Sequence, residues 1–183
     1  DDILKIGAMI LMARLFSKQT VMDKQWISVS LYILLGFAVY HILIRHIVNP
    51  YNYVDMTAIR YAVDDFIKFG IVLIIVRLAM YKNIGSLTDS TWLKQTGVIL
   101  GGFAIYDIVV AKIVEKLNIP LNANHLVVFN DVVKFGTMFA TLKWFSDGNL
   151  ADPDWLKEVG AALAGLAIYH YVSQNAIKLS FNF

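Results

Sequence analysis

Asp64-Asp65-Phe66-Ile67-Lys68-Phe69-Gly70 decides the fold, because the chain carries this string three times. It stands first as Asp1-Asp2-Ile3-Leu4-Lys5-Ile6-Gly7 and last as Asn130-Asp131-Val132-Val133-Lys134-Phe135-Gly136. A second block follows each copy. It ends in Gly36-Phe37-Ala38-Val39-Tyr40, Gly102-Phe103-Ala104-Ile105-Tyr106 and Gly165-Leu166-Ala167-Ile168-Tyr169, with the Tyr always 14 residues after Trp26, Trp92 or Trp155. Between Trp92–Asp107 and Trp155–His170, 9 of 16 positions are identical. Repetition in register means that one unit, used three times, is what folds. The copies are offset by 63 and then 66 residues in the first block, and by 66 and then 63 in the second. Copy 2 therefore carries three extra residues, placed around Met80–Lys82 where a loop absorbs them.

The solvent of this unit is read from composition. Hydrophobic residues make up 58% of the chain and the mean hydropathy is +0.60, above the share usual for a soluble domain. Gln25–Ile44 and Val159–Ile177 contain no Asp, Glu, Lys or Arg, and each is long enough for a membrane-spanning helix. The equivalent run in copy 2, Gln95–Tyr106, is cut short by Asp107 and is read as a span from its siblings. First-block helices have shorter uncharged stretches, such as Phe69–Val76 between Lys68 and Arg77. Long basic side chains near helix ends reach back to the interface, so these too are read as spans. The expected fold is an all-α integral membrane protein of three tandem two-helix hairpins, six helices about a pseudo-threefold axis. Residues 1–183 form a single membrane domain of repeats 1–50, 57–120 and 123–181. The competing arrangement keeps the second helices as spans and lays the first ones along the surface as amphipathic helices.

Hairpin ends are marked as well. Asp23, Asp89 and Asp152 occupy N-cap positions three residues before each Trp, and Pro153 suits a first helical position. Trp26, Trp92 and Trp155 are expected at the membrane interface. Asn49-Pro50 and Asn118-Ile119-Pro120 stop the second helices. Residues 57–63 and 124–129 precede the repeated string in copies 2 and 3, so copy 1, which opens on Asp1, is expected to lack an N-terminal stretch. Lys and Arg divide eight to eight between the two sides, leaving orientation open.

Polar residues inside apolar helices need partners. Asp2 and Lys5, Asp65 and Lys68, and Asp131 and Lys134 are each three apart, on one helix face, and are expected to pair within their helices. The structural reading is such a self-paired belt or a clamp tying adjacent hairpins, and the alternative is an ion gate. Arg14, Arg77 and Lys143 are equivalent, and are expected to snorkel to the opposite surface or to bind lipid phosphate. Gly97 and Gly101, with Gly160 and Ala164, have the four-residue spacing that lets helices approach, while Gly36, Gly102 and Gly165 recur at one position. The residue after the repeated Tyr is His41, Asp107 or His170. If the axis brings these together, two His and a carboxylate form a metal-binding set; otherwise they join Tyr40, Tyr106 and Tyr169 in a hydrogen-bonded plug. No nucleophile–base motif, glycine-rich phosphate loop or zinc spacing is present, there is no cysteine, and a net charge of +2 gives no reason to expect nucleic acid. The expectation is a protein that is not an enzyme and carries no cofactor or metal.

The three two-helix repeats resemble mitochondrial carriers in plan only, since the Pro of that family's Pro-x-[Asp/Glu]-x-x-[Lys/Arg] signature is missing before Asp65 and each unit is shorter. Asn130-Asp131-Val132-Val133-Lys134-Phe135-Gly136-Thr137-Met138-Phe139, Gly85-Ser86-Leu87-Thr88-Asp89 and Leu35-Gly36-Phe37-Ala38-Val39-Tyr40-His41 resemble short multi-pass proteins of large icosahedral double-stranded DNA viruses. That resemblance implies a virion membrane or minor capsid role, an internal viral membrane as the location, and membrane or capsid proteins as partners beside the lipid and copies of the chain itself. The expected function is a non-enzymatic structural membrane scaffold. The alternative is a repeat-built transporter or channel with a polar site between hairpins.

Overall fold

A computed structural model describes residues 2–17, 23–47 and 57–180. Asp1 and the helix stop at Asn49-Pro50 lie outside them. Six helices follow one another: α1 (Asp2–Phe16), α2 (Lys24–Ile47), α3 (Thr57–Tyr81), α4 (Ser90–Lys116), α5 (Ala123–Ser146) and α6 (Pro153–Ser180). Among the described residues there is no strand.

The local signals for helix ends operate as expected. Asp23 accepts a hydrogen bond from the Trp26 amide at 3.0 Å, Asp89 from the Trp92 amide at 2.7 Å, and Asp152 from the Asp154 amide at 3.0 Å. Each satisfies an amide that the first helical turn leaves without a partner. Asn122 does the same for α5 through the His125 amide. At the other ends the chain turns through left-handed backbone at Lys82, Asn118 and Gly148. With φ at +71°, Gly148 donates to the carbonyl of Lys143 and closes α5, a geometry that glycine adopts without steric cost. The extra residues of copy 2 extend α3 through Tyr81 and form a short 3-10 turn, Ile84–Thr88.

The helices close into a cycle. α1 packs on α6, α2 on α3 and α4 on α5, and these contacts are more extensive than those within the hairpins α1–α2, α3–α4 and α5–α6. Glycine sets the three close approaches. A Cβ on Gly36 would lie 2.8 Å from Cα of Val72, one on Gly102 would lie 2.8 Å from Cα of Met138, and one on Gly165 would lie 2.6 Å from the Ala8 carbonyl oxygen. Gly97, Gly101 and Gly160 meet nothing within 4 Å, so the four-residue glycine spacing is not the packing device. Successive helical residues point about 100° apart, which turns Gly101 away from the face on which Gly102 sits.

Each first-block helix turns one face to the centre of the bundle. Ile6, Phe69 and Phe135, then Met9, Val72 and Met138, line the centre. Their charges face inward, which is why their apolar runs look too short. Outward faces carry large apolar side chains, among them Ile42 at 67% and Ile47 at 74% exposure. Helices α2 and α4 are long and apolar enough to cross a membrane. The run Val159–Ile177 in α6 extends beyond the residues whose side chains are described.

Candidate functional site

The inward charges meet at one end of the cycle. Lys5 on α1 donates to Asp131 on α5 at 2.9 Å. Lys68 on α3 pairs with Asp2 on α1 at 3.2 Å, and Lys134 on α5 pairs with Asp65 on α3. Each lysine thus reaches the aspartate of the preceding copy, and copy 1 reaches copy 3. Of the two pairing schemes expected from the sequence, this is chiefly the clamp between adjacent hairpins. Lys68 does lie 3.5 Å from Asp65 on its own helix, but its shorter contact crosses to α1. The physical reason is reach: an inward-pointing lysine on a closed ring is as near to the next helix as to its own preceding turn. These six side chains surround a pocket of about 110 Å³.

His41, Asp107 and His170 join the ring at separate points. His41 lies 3.1 Å from Asp2, His170 lies 2.8 Å from Asp131, and Lys134 donates to Asp107 at 3.3 Å. They share no common partner, so the two-His-one-carboxylate set is not assembled. Among the described residues no group of three or more His, Asp or Glu is arranged to hold a metal ion. The plug reading is closer. The hydroxyl of Tyr40 donates to Asp64, and the Tyr40 and Tyr106 rings lie 5.8 and 5.6 Å from the ammonium groups of Lys68 and Lys134.

Two features were not anticipated. Backbone at Tyr40–Ile44 and Tyr106–Val110 winds as π-helix, starting each time at the repeated Tyr, whereas Tyr169 and His170 lie in ordinary α-helix. Single π turns inside α-helices concentrate at functional positions. Asp64 also belongs to the ring, through Tyr40 and Lys68 at 3.5 Å. Its signal was the doubled acid of the repeated string, which becomes Asn130 in copy 3.

Beneath the ring lies an aromatic layer. Phe69 and Phe103 stack at 3.9 Å, while Phe37 and Phe135 meet them edge-on. Phe37, Phe69 and Phe135 line both the polar pocket and a wholly apolar cavity of about 340 Å³ on its other side. That cavity is built from equivalent residues of the copies, such as Ala13, Val76 and Leu142, or Ile33, Ile99 and Ala162.

At the opposite end Arg14, Arg77 and Lys143 each bind the capping aspartate of their own hairpin: Asp23 at 3.7 Å, Asp89 at 3.6 Å and Asp152 at 2.9 Å. Arg14 and Arg77 also lie over the Trp26 and Trp92 rings, at 5.5 and 5.8 Å. All three basic groups therefore clamp the turn, and Arg14 and Arg77 also hold the Trp that follows it. Hydrogen bonds from Lys143 hold the carboxyls of Asp147 and Asp152 below the usual carboxylate range, and the Trp26 amide does the same for Asp23.

No protein-family model, curated protein or solved structure matches this chain.

Proposed function

We propose that this chain is a non-enzymatic structural membrane protein, in which three tandem hairpins related by a pseudo-threefold axis close around a charged centre. The observation that carries this is the cyclic pairing of Lys5 with Asp131, Lys68 with Asp2 and Lys134 with Asp65. Charges buried in this way are strongly position-specific, because separating any pair strands a charge in apolar surroundings. They fix which helix neighbours which, a task that apolar packing alone performs poorly in lipid. Large apolar side chains on the outside suit contact with acyl chains. The short turns at the Arg14, Arg77 and Lys143 end suit contact with a partner layer. An internal virion membrane as the setting, with capsid or membrane proteins as partners, follows from the sequence resemblance alone.

A transport role is favoured by a different observation: a polar pocket and an apolar cavity adjoin the same aromatic layer. The Phe37–Phe69–Phe103–Phe135 layer stands between them, which favours the scaffold. Purified protein in liposomes holding a pH-sensitive dye separates the two. Under a potassium diffusion potential the scaffold leaks no faster than empty liposomes. A leak that Asp107→Asn abolishes overturns the scaffold in favour of transport.

A further inference from the structure

The ring is not threefold in its chemistry, and the exception falls on one pair of carboxyls. In copies 1 and 3 the inward aspartate meets a histidine, Asp2 with His41 and Asp131 with His170. In copy 2 the histidine is replaced by Asp107, and Asp65 and Asp107 share one cation, the ammonium of Lys134. Both are deeply buried, at 4% and 6% exposure. Among the described residues, Asp65 Oδ2 and Asp107 Oδ2 are the buried side-chain oxygens without a hydrogen-bond partner. The ammonium of Lys134 forms its ion pair at Asp65 Oδ2 and donates to Asp107 Oδ1, which leaves Asp107 Oδ2 without a donor among the described residues.

Two buried carboxylates on one ammonium, with Asp107 Oδ2 left without a donor, are a costly arrangement in a dry interior. The surrounding groups do not remedy it. The π-helical part of α4 that carries Asp107 packs against α3 and α5. Those helices turn Asp65, Lys68, Asp131 and Lys134 toward the pocket, while Tyr106 offers its ring to Lys134. Lys68 is divided among Asp2, Asp64 and Asp65, and Asp131 is taken by Lys5 and His170. A single proton on one of the two carboxyls leaves one negative charge for Lys134 to balance. We propose that Asp65 and Asp107 form a proton-binding site, in which one of the two is a carboxylic acid and the other the carboxylate that Lys134 balances. Carboxyl dyads elsewhere share a proton for the same reason. The site stands apart from the scaffold role, since a static ring and a conducting one can both contain it.

Infrared spectroscopy of the full chain in lipid nanodiscs tests it, because a protonated carboxyl has a carbonyl stretch distinct from that of a carboxylate. At pH 7 the wild-type protein is expected to show one buried protonated-carboxyl band. Asp107→Asn and Asp65→Asn are each expected to abolish it, and Asp131→Asn to leave it. Asp107→His, which restores the pattern of the other copies, is a second route to the same loss if Asp65→Asn fails to fold. Absence of the band in wild type at pH 7, or its survival in Asp107→Asn, overturns the proposal.

Discussion

A lysine on an inner helix face gains little from the bilayer and much from a carboxylate, and that contrast decides the individual residues. Lys134 serves Asp65 and Asp107 together. Lys134→Met is expected to destabilise the protein by about 3–5 kcal/mol, the usual cost of stranding a buried charge, read from unfolding in mixed detergent. At the clamp end, Lys143 lowers the pKa of Asp147 and Asp152. A depressed carboxyl contributes stability above its unfolded-state pKa and loses it as pH falls through the lower folded value. Emission from Trp155, with the other tryptophans replaced by Phe, is therefore expected to stay constant from pH 7 to about pH 4 and to change only in stronger acid. In Lys143→Met the change is expected to begin at higher pH. The ring residues Asp2, Lys5, Asp65, Lys68, Asp131 and Lys134 were legible in the sequence because an inward charge repeated three times has to be structural or functional. Which pairing they make, within a helix or between adjacent hairpins, was not legible: a three-residue spacing along one helix says nothing of the helix next door.

Among the elements, a helix pair is defined by where its backbones touch. Gly36 and Gly102 each face a Cα of the next inner helix. Gly36→Ala and Gly102→Ala are expected to cost about 1–3 kcal/mol each through overpacking. Gly97→Ala, on a face with no neighbour, is expected to stabilise the protein by about 0.5–1 kcal/mol through helix propensity. Equal effects at Gly97 and Gly102, in the same unfolding assay, would contradict the packing described. Recurrence at one position in three copies identified Gly36, Gly102 and Gly165 correctly. The Gly97/Gly101 spacing misled because it describes one helix face without saying which face meets a partner. Helix ends were the most legible elements, since the Asp N-caps and the Pro153 start act within a single turn. The π-helical turns that start at Tyr40 and Tyr106 left no comparable mark, as Tyr169 follows a similar run, with Leu166 in place of Phe, yet stays α-helical.

At the scale of the whole molecule, a tandem repeat closes only if its last copy finds its first. Lys5 with Asp131, and Gly165 against Ala8, make that closure between α1, α5 and α6. Repeat count and helix count were readable because each unit repeats at nearly constant length. The inner faces of the first helices were obscured by their charges, which a linear scan reads as exposed but which turn toward the pocket in space. A double-mutant cycle across the closing pair addresses the ring most directly. Wild type, Lys5→Asp, Asp131→Lys and the exchanged double variant would be unfolded in lipid nanodiscs under one condition. Each single reversal is expected to destabilise the protein, and the exchange to recover a large part of that loss through a favourable coupling energy. A double variant as damaged as the sum of its singles would show that Lys5 and Asp131 do not meet, and the closed ring would fall with them.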